Sequence, residues 1–227
     1  MNQRLERIRV LASSGRLKQA LRKINRIFAK QAATSENKFT KHILQALAYQ
    51  AAGKSEIALQ QALASAELFA ALDDTDSVSR RASLMQTIGD LYIERDQLDQ
   101  AQEYFERAHT LYSDLIAQDS ENAGAKVSAA LGLITLGEIA QKMSVRSSDR
   151  YKALSRAQKS YMDAMPILEG LTAPITWDVR HSAWIGLRAI QEQQNDGRNL
   201  FYKGLVEHAL QDWRAKQHTT EQDQSDA

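Results

Sequence analysis

Apolar residues recur every three or four positions along most of the chain, with polar residues between them. The first clear stripes are Leu5, Ile8, Leu11 and Ala12, followed by Leu17, Ala20, Leu21, Ile24, Ile27 and Phe28. Steps of three and four place such residues on one face of an α-helix. The segment Ser13-Ser14-Gly15 separates the two stripes, so we expect a turn between two antiparallel helices there.

The same alternation of helix and turn continues along the chain. It predicts helices over 41–52, 56–72, 78–94 and 98–118, with turns at Gly53-Lys54-Ser55 and Arg95-Asp96-Gln97. The segment Asp73–Ser77 breaks the pattern, and its Asp and Ser side chains can cap the next helix. Since no alternating strand pattern of useful length occurs, we expect an all-α fold.

Equivalent positions of these hairpins carry similar residues. The sharpest copy has Ile88, Gly89 and Tyr92 on the first helix and Ala101, Phe105 and Ala108 on the second. Looser copies contain Ile8, Leu11, Ala20, Ile24 and Ile27, then Ala46, Tyr49, Ala58, Ala62 and Ser65, and finally Leu136, Gly137, Ala140, Ala157, Tyr161 and Ala164. This pattern resembles the tetratricopeptide repeat (TPR) family in divergent form, with an insertion near 144–151. An unrelated helical bundle with alanine-rich contacts is the alternative.

The resemblance implies a right-handed solenoid of stacked antiparallel helix pairs, because no pair can bury its apolar face alone. We expect about four pairs over 1–171, a C-terminal capping hairpin over 172–215 with helices 177–194 and 199–213, and a disordered tail over 216–227. Equivalent points recur every 38, 43 and 48 residues, against 34 in the standard unit.

Small residues are expected where helices approach closely. A large side chain at Gly89, Gly137 or Ala46 would push the helices apart, so Gly89→Leu should destabilise the fold by roughly 1–3 kcal/mol. Aromatic residues such as Phe105 and Tyr161 should fill the space between successive hairpins.

The inserted segment Met143–Arg150 is polar. Arg146 and Arg150 suit a carboxylate or phosphate ligand, and Ser147 and Ser148 suit modification. The alternative is a plain connector in which Ser148 or Asp149 caps the next helix.

Charge is balanced overall at +1 but is uneven along the chain. The first 41 residues carry +9, which leaves −8 on the rest. The basic residues predicted to form a patch are Arg4, Arg7, Arg9, Arg16, Lys18, Arg22, Lys23 and Arg26. Such a patch can attract an acidic partner, although charge runs also simply solvate a helix face.

Composition and motifs offer little chemistry. There is no cysteine, no glycine-rich phosphate loop, and no histidine pair at helical metal-ligand spacing. His181, between Trp177 and Trp184 on one helical face, suits either a ligand pocket or a packed aromatic face. We therefore expect no enzyme activity, cofactor or metal. Without a signal-like or membrane-spanning apolar run, we expect a cytoplasmic protein.

By the resemblance, the first helix of each pair lines a concave groove that takes an extended peptide or a helix. The groove residues expected on this basis are Ile43, Leu47, Gln50, Gln86, Asp90, Ile93, Glu94, Ile134, Glu138, Gln141 and Lys142. The function it implies is a non-catalytic adaptor or scaffold that binds a protein partner. The alternative is binding of a nucleic acid or an acidic surface through the basic N-terminal helix pair, and the sequence leaves homo-oligomer formation open.

Overall fold

The computed structural model describes residues 2–29, 34–69 and 75–194, and all regular elements in these ranges are α-helices. The helices are α1 (Asn2–Ser13), α2 (Leu17–Phe28), α3 (Ser35–Ala51), α4 (Ser55–Phe69), α5 (Thr75–Glu94), α6 (Leu98–Gln118), α7 (Ala123–Ser144), α8 (Arg150–Ile167) and α9 (Pro174–Gln194). No strand occurs in the described ranges, which confirms the all-α prediction.

The helix bounds follow local signals in the sequence. Helices α2 and α6 begin and end where the apolar stripes predicted. Helix α3 begins well before Lys41, because the Thr34 hydroxyl accepts a hydrogen bond from the Asn37 backbone N–H at 3.2 Å and caps the helix. The predicted cap around Asp73, the second helix of the capping hairpin and the tail over 216–227 lie outside the described residues.

The first three hairpins close with one and the same turn. Gly15, Gly53 and Asp96 have positive φ values of 78°, 70° and 59°. The residue after each donates its backbone N–H to a carbonyl five positions earlier, at 2.9 Å in all three turns, as in Gln97 to Tyr92. This arrangement satisfies carbonyls left over at the helix end and is the Schellman motif.

Chain contacts divide the protein into two compact units, with the boundary between Leu115 and Ile116. In the first unit, one buried cluster joins α1 and α2 to α3: Ile8, Ala12, Ala20, Ile24, Leu44 and Ala48. A second joins α3 and α4 to α5: Phe39, Ala46, Ala58, Leu59, Ala62, Leu84, Ile88 and Leu91. Each core is thus formed between one hairpin and the next, as expected of stacked helix pairs.

Position 89 requires a glycine because an aromatic ring occupies the space that a side chain would need. A Cβ atom at this position would lie 2.6 Å from Cδ2 and Cε2 of Phe105, which is itself 2% exposed. Phe105 belongs to α6 and Gly89 to α5, so the ring packs within its own hairpin. The glycine lets the two helices close around a buried ring.

Tyr161 has the equivalent position in the second unit. A Cβ at Gly137 on α7 would lie 2.7 Å from the Tyr161 ring, and one at Gly186 on α9 would also overlap it. The hydroxyl donates to Gln141 Oε1 at 2.7 Å. Burial, and secondarily the charge of Glu138, raises the pKa of the Tyr161 phenol.

Helix α7 is the central helix of the second unit and packs against both α8 and α9. Within the described residues it is the one helix long and apolar enough, by length and composition, to cross a membrane. More than half of that apolar stretch is buried inside the protein. Its apolar character is therefore accounted for by its place in the core.

The eight extra residues of the fourth pair lie mostly in helix rather than in loop. Counted from the equivalent points Ile88 and Leu136, α7 continues two residues further than α5 does. The connector 145–149 has two more residues than the connector 95–97. Counted back from the repeat alanines Ala157 and Ala101, α8 begins four residues earlier than α6 does. Asp149 accepts from the Lys152 backbone N–H at 3.0 Å, which confirms it as the cap of α8.

Candidate groove of the first unit

A groove of about 530 Å³ lies in the first unit between helices α1, α3 and α5. These are the first helices of the three hairpins in that unit. Its lining residues are Glu6, Ile8 and Arg9 from α1, Leu44, Leu47, Ala48, Gln50 and Ala51 from α3, and Asp90 and Glu94 from α5. The size is within the range of pockets that bind ligands.

The floor of the groove is apolar. Ile8, Leu44 and Ala48 belong to the core beneath it and are 3%, 8% and 0% exposed. Leu47 is 39% exposed and presents its side chain to the opening. An apolar side chain entering the groove would therefore remove Leu47 from water, which is favourable.

The α5 wall of the groove is acidic. Asp90 and Glu94 are exposed and lie one turn apart on α5, so they share a helix face. Gln50 on α3 donates from Nε2 to Glu94 Oε1 at 2.8 Å. With Glu6 and Arg9 from α1, the lining residues that the structure describes hold three carboxylates and one guanidinium, a net charge of −2.

Two ion pairs tie the third hairpin to the second. Arg80 on α5 contacts Glu36 on α3 at 2.8 Å, and Arg95, directly after α5, pairs with Glu56 on α4. Together with the Gln50–Glu94 hydrogen bond, they fix α5 against α3 and α4. The acidic wall is thereby held next to the apolar floor.

The structure brings four of the predicted groove residues together in this cavity: Leu47, Gln50, Asp90 and Glu94. The others on α3 and α5 do not line it. Ile43 and Ile93 are half-buried, Ile43 against the core. Gln86 accepts a hydrogen bond from the Tyr112 hydroxyl at 3.4 Å.

The structure corrects the prediction that Ile134 lines a groove. Ile134 is 5% exposed and lies in the core of the second unit, so its side chain is not available at a surface. It has the same repeat position as Ile43 and Gln86, and all three of these residues are at least half-buried. Glu138 and Lys142 are exposed on α7, while Gln141 binds the Tyr161 hydroxyl. A binding role for these three stays a prediction.

The lining residues from α1 were missed as groove residues. The repeat register contains the signal, because Arg9, Leu47 and Asp90 all stand two positions after the equivalent points Arg7, Gln45 and Ile88. Arg9 is predicted as part of the basic patch, and the structure places it in the groove lining.

The predicted basic patch is spread over more than one surface. Arg9 lines the groove, whereas Lys18, Arg22 and Arg26 lie on the exposed face of α2 and do not line it. The exposed side chains of Arg7 and Arg16 and the half-buried Lys23 are also outside its lining. The side chain of Arg4 lies outside the described residues.

Other candidate chemistry adds no site. Trp177, His181 and Trp184 are half-buried along one face of α9, and the Arg180 guanidinium lies 5.3 Å from the centre of the Trp177 ring. Among the described residues, no group of three His, Asp or Glu side chains could hold a metal ion.

Solved structures with the same arrangement of helices include TPR-like repeat proteins. BtubC (BKLC) from P. vanneervenii superimposes with a TM-score of 0.71 at 17% identity, covering 94% of this chain and 80% of its own. A putative kinesin light chain from Podosopora anserina, with nearly identical TPR-like repeats, gives 0.65 at 16% identity over 96% and 95% of the two chains. This chain has the TPR-like fold.

The fold expected from the repeat pattern is thereby confirmed. At these identities the likeness shows the fold alone. No family model and no curated protein matches the sequence. The TPR-like pattern here is therefore a divergent one, as the repeat lengths of 38 and 43 residues already indicated.

Proposed function

We propose that this protein is a non-catalytic adaptor that binds a segment of a protein partner in the groove between α1, α3 and α5. The observation that carries the proposal is the groove itself, where an apolar floor and charged walls from three successive hairpins meet. TPR-like structural neighbours support a protein-interaction role in general terms.

The physical basis is the usual one for peptide recognition. A groove of apolar and polar residues buries a few side chains of an extended or helical segment, and its polar walls fix the register. Leu47 provides the exposed apolar surface, and Asp90 and Glu94 provide polar contacts. Side chains on rigid helices position such contacts more precisely than side chains on loops.

The test is affinity purification with the full chain, identification of the partner by mass spectrometry, and binding measurements on charge-reversal variants. Asp90→Arg should abolish or strongly weaken binding, because it reverses the charge of the α5 wall. The double variant Arg22→Glu, Lys23→Glu should bind like the wild type, because these residues lie outside the groove lining. Loss of binding in the double variant with retention in Asp90→Arg would refute the groove.

A specific observation favours a second candidate, binding of a nucleic-acid backbone through α2. Lys18, Arg22 and Arg26 are exposed at intervals of four residues, and none pairs with an acid within the described part of the chain. On other helices, Arg107 and Arg188 each pair with a glutamate four residues away. Like charges at this spacing repel, so an anionic ligand would relieve the repulsion.

Such binding would depend on phosphates rather than on bases. Of the two aromatic residues near this region, Phe39 is buried and Phe28 is half-buried against the core, so neither is an open platform for base stacking. Three phosphate contacts give a slope of about −2.7 for the logarithm of the association constant to duplex DNA against the logarithm of salt. A flat salt dependence, or a slope unchanged by Arg22→Glu, would exclude this candidate.

A further inference from the structure

We infer that the groove selects a segment that presents an apolar side chain to Leu47 and a lysine or arginine side chain to Glu94. The inference rests on the proposed function, since it concerns the same groove, and it names the chemistry of the partner. Three observations carry it: the placement of Glu94, the charge of the lining, and the exposure of Leu47.

Glu94 is a carboxylate already fixed in position. Its Oε1 accepts from Gln50 Nε2 at 2.8 Å, across from α5 to α3. Its Oε2 forms no hydrogen bond or ion pair with any side chain that the structure describes. A carboxylate that is already oriented loses little side-chain entropy when a cation arrives, so binding of an ammonium or guanidinium group is favoured there.

The charge of the lining favours the same ligand. Asp90 lies one turn before Glu94, about 6 Å along the helix axis. Glu6 adds a third carboxylate from α1, and among the described side chains Arg9 is the one cation in the lining. An acidic segment would meet repulsion from three carboxylates, whereas a basic one is attracted to them.

The floor excludes a purely polar ligand. Leu47 is 39% exposed, and its neighbours Ala48 and Ala51 are small, which leaves room for an incoming side chain. A segment with charges only would leave Leu47 facing water and would gain nothing from the apolar floor. The partner segment is therefore amphipathic as well as basic.

Three model peptides of equal length test the inference by fluorescence anisotropy with the full chain. The first alternates leucine and lysine in an amphipathic pattern, the second replaces every lysine by glutamate, and the third replaces every leucine by serine. We expect the leucine–lysine peptide to bind, and the other two to bind at least roughly tenfold more weakly, since each lacks one of the two matching features.

Paired variants locate the contacts. Glu94→Gln keeps an oxygen that can accept the hydrogen bond from Gln50 but removes the charge. It should weaken binding of the leucine–lysine peptide by about threefold to tenfold. The matched control is Glu103→Gln on α6, the same chemical change at an exposed glutamate outside the groove, which should leave binding unchanged. Leu47→Ser should also weaken it, and circular dichroism confirms that each variant is folded.

The outcomes separate the inference from the proposed function. Equal effects of Glu94→Gln and Glu103→Gln, or tighter binding of the leucine–glutamate peptide, would overturn the inference. If the leucine–glutamate peptide binds and Leu47→Ser abolishes its binding, the groove stands but its charge preference is wrong. If no peptide responds to Leu47→Ser, the groove is not the binding surface and both proposals fall.

Discussion

Replacement of Gly89 by alanine would test how the hairpins close. The added Cβ would lie 2.6 Å from two ring carbons of Phe105, whereas carbon atoms in contact prefer about 3.5–4.0 Å. The ring would have to retreat by roughly 1 Å. Since Phe105 is 2% exposed, it has no open space to enter, and overpacking of this kind costs about 1–3 kcal/mol.

A second glycine-to-alanine change, in the first turn of α7, is a control for the gain in helix propensity, which is smaller there than in a helix interior. Alanine in a helix is favoured over glycine by about 1 kcal/mol, and this gain partly hides the overpacking in Gly89→Ala. Gly124 also lies in a helix, but a Cβ there meets nothing closer than 3.6 Å, so Gly124→Ala should be stabilising. The free energies of unfolding of the two variants should therefore differ by about 1–3 kcal/mol.

Urea denaturation at neutral pH measures this difference directly. In thermal denaturation, 1 kcal/mol corresponds to roughly 2–4 °C for a chain of this size. A second change tests the cause: Phe105→Leu should cost less in the Gly89→Ala background than in the wild type, because it removes the overlapping ring. Equal stability of Gly89→Ala and Gly124→Ala would refute the close packing described here, and Gly89→Leu should be worse than either.

Three further predictions concern stability. Tyr161→Phe removes the hydrogen bond to Gln141 and should cost about 1 kcal/mol. Burial raises the pKa of this phenol above the value of about 10 in the unfolded chain. The free energy of unfolding of the wild type should therefore fall more steeply above about pH 10 than that of Tyr161→Phe. Parallel curves of this free energy against pH would contradict the prediction. Gly53→Ala should lower the free energy of unfolding by about 1–2 kcal/mol because φ is 70° there, and Gly53→Asn should lower it less. Equal melting temperatures of Gly53→Ala and the wild type would contradict this description of the turn. Asp149→Ala should cost about 1 kcal/mol by removing the cap on the Lys152 N–H, whereas Asp149→Ser should retain most of it in a urea titration.

The fold could be predicted because its signals are local. Turn residues such as Gly15 and Gly53 mark where one helix ends, and apolar steps of three and four mark where the next one runs. The start of α3 was missed although its capping residue, Thr34, is visible in the sequence. The stacking of hairpins followed from the repeat, since alanines such as Ala58 and Ala101 are fully buried as expected.

The groove could be predicted only in part, because the face of a helix that stays open depends on its neighbours. Leu47 and Asp90 occupy the same repeat position and do line the groove. Ile134 occupies a position that turns inward. Helix α7 packs against α8 and α9, and no single-helix pattern contains such neighbours. Arg9, predicted as part of the basic patch, lines the groove. Hydrogen bonds such as Gln50 to Glu94 join residues 44 positions apart, and the local sequence does not predict them.

The three Schellman turns carry a consequence for how this chain can change in evolution. Each turn needs one residue that tolerates a positive φ and a pair of backbone hydrogen bonds to the last carbonyls of the preceding helix, and it uses no side chain of either helix for these bonds. Turn residues recur at intervals of 38 and then 43 positions, so the helices have varied in length while the turns have not. A repeat of this kind can gain or lose part of a helix without any change in the turn. The fold can therefore be kept while the repeat pattern in the sequence becomes weak.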